Sequence, residues 1–226
     1  MTTVPFELYS NPRDINVFGH LFIIPNYYTT LELDHIHSNV DVGLPISPSV
    51  YPCIQFPATD IISEKTSWFM DNWDIVREMT ETSEKSFDEW GYSRMIPKGT
   101  HERLQGTPIG MQTYPPHSDL GRKLLTILVP IHPCRGVSTT FHGGDSFGCG
   151  STESFQLPWE VNTAYMFRPS LWSYHSYSGM TESDRYVMNV NLLLGGTWHS
   201  PFGTDGLTRP SWVGDDKPWP PVPMFD

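Results

Sequence analysis

Residues 185–194 read RYVMNVNLLL, and their alternation governs how the rest of the chain is read. Successive side chains of a strand point to opposite faces, so Arg185, Val187, Asn189 and Asn191 fall on one side and Tyr186, Met188, Val190 and Leu192 on the other. The first set is the lining of a polar cavity, the second a packed core. Just upstream, SYSGMTESD, with Gly179 within it, has the composition of a hairpin turn. The chain therefore returns beside a strand that carries His175.

Short runs rich in Val, Ile, Thr, Tyr and Phe, separated by 21 Pro and 18 Gly, extend this reading over most of the chain. Strands are expected at Asn16–Ile24, Gly110–Tyr114, Lys123–Ile131, Ser138–Phe141, Thr163–Phe167, Leu171–Tyr177 and Tyr186–Leu194, which makes the class mainly β, a sandwich or barrel. One segment departs from it. From Ile61 to Glu81, Phe69, Trp73 and Val76 recur at helical spacing, joined by Trp68, Ile75 and Met79, and predict an amphipathic helix packed on the sheet, capped by Asp60 or Ser63.

The chain of 226 residues suits a single domain, residues 1–226. Within it, residues 1–95 support a β core at 96–198, and residues 199–226 form an irregular tail. Trp198, Trp212 and Trp219 favour docking of this end over exposure to water. A formal net charge of -11 argues against nucleic acid as a partner. No apolar run is long enough for a membrane span, and the N-terminus lacks the pattern of a signal peptide, so a cytoplasmic location is expected. Cys53, Cys134 and Cys149 are too scattered for a thiolate metal site and read as free thiols. Against the acidic whole, the stretch from Arg94 to Arg135 is locally positive. It is either a solvated face or a device that draws in an anionic substrate.

The chemistry concentrates in GMQTYPPHSDL, Gly110–Leu120. His117 and Asp119 are two apart and share a face of an extended strand. A third imidazole, His175, would complete a set of two histidines and one carboxylate with three open positions on an octahedral metal. Such a set suits ferrous iron handling O₂, whereas structural zinc prefers four protein ligands. With the carboxylate present no position is freed for a halide, which favours hydroxylation or desaturation. Arg185, ten residues past His175, offers a planar fork to a carboxylate; the bland alternative is an ion pair with Asp184 or Glu182. His35 and His37, an H-x-H pair placed on a strand, are a rival ligand pair, but surface roles are favoured for them. His101, His132, His142 and His199 read as structural or surface residues, of which one could line the cavity.

In the YPP-H-x-D lead-in, the distal His175 and the following Arg185, the chain resembles the Fe(II)/2-oxoglutarate-dependent oxygenases, in particular the prolyl-hydroxylase-like branch. The resemblance covers about Gly110 to Leu194. It implies a double-stranded β-helix, or jelly roll, with supporting α-helices, and iron held by His117, Asp119 and His175. It also implies 2-oxoglutarate as cosubstrate with its far carboxylate on Arg185, O₂ as oxidant, ascorbate as a supporting reductant, and hydroxylation of a small-molecule, amino-acid or peptidyl substrate with release of succinate and CO₂. Many members carry Ser two residues after the arginine. Val187 stands there in this chain, and Tyr114 and Thr126 are the candidates for a second anchor. Two other classes share the fold: a cupin-type isomerase or cosubstrate-free dioxygenase, and a non-catalytic binding protein.

Overall fold

The computed structural model describes residues 9–10, 21–39, 53–57, 59–80, 96–107, 113–117, 123–133, 139–142, 154–168, 175–178 and 184–194. The expected tail, residues 199–226, and Cys134, Cys149, Trp198, Trp212 and Trp219 lie outside them.

Among the described residues, eleven strands fall into two antiparallel sheets. They are β1 (Tyr9–Ser10), β2 (Leu21–Ile24), β3 (Cys53–Gln55), β4 (Pro97–Thr107), β5 (Thr113–His117), β6 (Lys123–His132), β7 (Thr139–His142), β8 (Ser154–Gln156), β9 (Ala164–Phe167), β10 (His175–Ser178) and β11 (Arg185–Leu194). The seven-stranded sheet runs β1-β2-β9-β6-β11-β4-β3 and the four-stranded sheet β5-β10-β7-β8. Among the described residues no helix is long and apolar enough to cross a membrane.

The apolar half of the RYVMNVNLLL alternation faces the core. Tyr186, Met188, Val190 and Leu192 are buried in the main core with Leu104 of β4 and Ile127, Val129 and Ile131 of β6. Helices cover this outer face: α1 (Thr30–Ser38), α2 (Glu64–Asp71) and α3 (Trp73–Thr80), which bring in Ile36, Phe69, Trp73 and Val76. Each such side chain contributes about 1.5–3 kcal/mol by leaving water.

The single helix expected from Ile61 to Glu81 is two helices after a short 3₁₀ turn, Ile61–Ser63. The break falls at Asn72, whose side-chain amide and backbone N–H both bond to the carbonyl of Trp68, at 2.8 and 3.0 Å. Its own carbonyl then accepts the first N–H groups of α3. An asparagine satisfies helix-end groups in this way, so the apolar spacing crosses a break that it does not reveal. Of the two proposed caps, Asp60 serves, accepting from the Ile62 N–H at 3.2 Å, while the Ser63 side chain makes no cap bond. Ile75, expected in the core, is exposed.

The H-x-H pair is on α1, not on a strand. Residues two apart on a helix point to different sides: the His35 Nε2 meets the Asp60 carboxylate at 3.0 Å, and His37 is exposed. The capping box at Thr29 and Glu32 starts this helix. Burial alone would raise the Glu32 pKa, but the Lys65 ammonium at 2.7 Å and bonds from Thr29 hold it below the ordinary carboxylate value.

Candidate active site

The inner face of the large sheet is graded across its width. Leu21, Tyr165 and Phe167 of β2 and β9 pack with Phe141 of β7 and Leu157, beside Ile23 and Leu128, and so join the two sheets. Beyond them β11 presents Asn189 and Asn191, and β4 presents His101, Arg103, Gln105 and Thr107 in register. That half is half-buried to exposed at Arg103, His101, Gln105 and Asn189.

His175 opens β10 at the junction of the sheets. It is buried, and its ring lies 5.3 Å from that of Phe167, edge to face, and 5.6 Å from that of Phe141. On its other side, the register of β10 on β5 sets position 175 directly opposite position 117. The chain thus brings the backbones of two of the three expected ligands together across one strand pair. The His117 side chain and the whole of Asp119 lie outside the described residues.

Arg185 begins β11, on the inner face. Its guanidinium lies 5.1 Å from the centre of the Trp159 ring, and the Trp159 indole donates to the Pro133 carbonyl at 2.7 Å. A cation over an aromatic face is held by the ring's electron density. Trp159 was not foreseen, since it lies in the loop between β8 and β9 with no pattern to mark it.

Thr126 is corrected as a partner of Arg185. It is paired in register with Asn191, and its hydroxyl donates to the Asn191 Oδ1 at 3.1 Å. Asn191 is six residues along β11 from Arg185, roughly 20 Å at 3.3 Å per residue, so one carboxylate does not reach both. The residue directly opposite Arg185 is the buried Thr107. Tyr114 is opposite Tyr177 on β10, and its side chain lies outside the described residues.

β4 itself was missed. PKGTHERLQGT carries charges on both faces and two glycines, so it lacks the polar–apolar alternation that marks a strand. The locally positive stretch in which it lies is not uniform: Lys98 is exposed, where the register of β4 on β11 shifts, and Arg103 is half-buried on the inner side. The usable signal was the pairing partner. The polar row of β11 needs a neighbour with matching polar positions.

No family model and no curated protein matches the sequence. Solved structures do match in fold. A truncated form of the viral collagen prolyl hydroxylase of Paramecium bursaria Chlorella virus-1 aligns with 87% of this chain and 99% of its own, at 13% identity and a TM-score of 0.50. The 2-oxoglutarate complex of the same viral enzyme aligns over 78% and 96%, at 12% identity and 0.49. A Pseudomonas putida prolyl-4-hydroxylase aligns over 78% and 93%, at 10% identity and 0.48. The likeness is one of fold.

Proposed function

We propose that this chain, with a fold like that of the prolyl hydroxylases, is an Fe(II)- and 2-oxoglutarate-dependent oxygenase. It would hydroxylate an unactivated C–H bond of a small-molecule, amino-acid or peptidyl substrate and release succinate and CO₂. The observation that supports this most is the register of His175 opposite His117. Opposed residues of an antiparallel pair have Cβ atoms about 4.5–5.5 Å apart, close enough for two imidazoles to meet at one ion. Asp119 would add the carboxylate. Two imidazole nitrogens and one carboxylate oxygen fit ferrous iron and leave positions for cosubstrate and O₂. In this reading the two strand orders, β2-β9-β6-β11-β4 facing β5-β10-β7-β8, form a double-stranded β-helix, or jelly roll.

Bound iron would supply O₂ activation, and the chain's own groups do the rest. Arg185, steadied on Trp159, would take the far carboxylate of 2-oxoglutarate through its N–H fork. Thr107, across the strand pair, or Tyr114 would be the second anchor. Phe141 and Phe167 wall the His175 side and keep bulk water from it.

Anaerobic addition of Fe(II) and 2-oxoglutarate to the folded protein should produce a metal-to-ligand charge-transfer band. Air should then release succinate, which ascorbate would sustain. Asp119→Ala should abolish both the band and succinate. A wild-type protein that folds but stays spectrally silent refutes the proposal.

A further inference from the structure

We infer that Arg103 and Asn189 form a receptor for a carboxylate of the substrate, and that the substrate is a small organic or amino acid with that group free. The inference rests on the oxygenase reading for what is done to the substrate, and on geometry for what is bound.

Arg103 of β4 and Asn189 of β11 are directly opposite each other on the inner face. Their Cβ atoms are therefore about 4.5–5.5 Å apart. A hydrogen-bond chain fixes what Asn189 presents. The Thr126 hydroxyl donates to the Asn191 Oδ1 at 3.1 Å, so the Asn191 Nδ2 is free to donate to the Asn189 Oδ1, which it does at 2.7 Å. The oxygen of Asn189 is thereby occupied, and its amide NH₂ remains as a donor.

Arg103 is also oriented rather than neutralised. One Nη2 contact, at 3.1 Å, goes to the His101 Nε2. A guanidinium only donates, so this imidazole nitrogen accepts and carries no proton. Among the described residues no carboxylate pairs with Arg103. One full positive charge beside a neutral imidazole and an amide donor suits a planar monoanion, which a guanidinium edge and an NH₂ group meet with parallel bonds.

The position is distinct from that of Arg185. Asn189 is four residues along β11 from Arg185, roughly 13 Å, so the two anion sites do not serve the same carboxylate. Toward His175 the measure is across strands. Phe167, against which the His175 ring rests, is on β9, and β4 is three strands away at roughly 4.8 Å each. Less the reach of the arginine side chain, that gap spans a metal and a small molecule. The grading of the face agrees: it is apolar and covered beside His175, polar and open at Arg103.

The test is calorimetric titration of the Zn(II)- and 2-oxoglutarate-loaded protein with free L-amino acids and short monocarboxylic acids, each against its primary amide. At least one acid should bind, with its amide weaker by tenfold or more. Arg103→Gln, which keeps length and polarity, should lose that difference. Asn189→Asp should lose it too, because its second oxygen would pair with Arg103 from within while the bond from Asn191 is kept. Both variants should bind 2-oxoglutarate as the wild type does. Acids and amides that bind alike, no acid that binds, or variants that retain the preference would each overturn the receptor. The charge-transfer band separates the two ideas. If it forms and no acid binds, only the receptor fails; if it never forms, the oxygenase reading fails, and the same titration on the metal-free chain decides the receptor.

Discussion

The two faces of β4 and β11 are built from alternate residues of the same strands and face opposite demands. Outward, Leu104, Met188, Val190 and Leu192 are sealed under the helices. Inward, the half-buried Arg103, Arg185 and Asn189 alternate with nothing apolar but Val187, and Thr107, Val187 and Asn191 beside them are buried. Because a strand's period is two, the packed core and the proposed binding face occupy one segment without sharing a position. A substitution should therefore move one property and spare the other, which makes the division testable residue by residue.

The largest effect is expected on the inner face. Arg185→Leu removes the charged half of a pair whose loss costs about 2–5 kcal/mol when the partner is desolvated, so the affinity for 2-oxoglutarate should fall by about 30-fold or more. The strand pairing stays, and loss of the Trp159 contact, about 0.5–2 kcal/mol, should lower the denaturation midpoint only modestly. A variant that binds 2-oxoglutarate normally would take the clamp from Arg185 and break the comparison at its strongest point.

Met188→Ala, three residues along and on the other face, should do the reverse. Its side chain is wholly buried in the main core, and truncation there costs about 2–5 kcal/mol, read as a lower denaturant midpoint at unchanged slope. The folded fraction should bind 2-oxoglutarate as before. A weakened affinity without lost stability would mean that the sheet transmits packing changes through its thickness, and the two faces would not be independent.

What the sequence made legible follows from which residues carry an alternating signal. β11 and β6 were readable because one face of each is aliphatic, and the spacing of Phe69, Trp73 and Val76 marked a helical core face that the structure retains. β4 was not, since its outward positions include a buried carboxylate, Glu102, in place of an apolar residue. His117 and His175 were grouped as ligands by residue type and by the family resemblance, while their opposition across β5 and β10 was not foreseen. Thr107 and Arg103 could not be singled out, because the positions they face, Arg185 and Asn189, are 78 and 86 residues further on, and register is a long-range property. Trp159 and the Asn72 break belong to the same kind: single residues whose meaning lies in what they touch.

Glu102 is also where the comparison is sharpened with the smallest effect. It is an acid on the outward, core-facing side of β4, and it is buried. Burial raises its pKa above the ordinary value, and Asp60 adds to this, while the Thr66 and Ser63 hydroxyls beside it offset only part. A carboxyl raised in the folded state contributes stability below its unfolded pKa and loses that contribution as pH rises through the folded value. Glu102→Gln stays neutral throughout and keeps the length of the side chain. It should be more stable than the wild type at neutral pH, by less than Met188→Ala loses, and the advantage should vanish as pH falls below the ordinary carboxylate range. Denaturation of both proteins across roughly pH 4 to 8 reads this directly. A variant that is less stable at neutral pH would mean that the ionised Glu102 is favourably paired in the fold, and the outward face would then contain a polar site of its own.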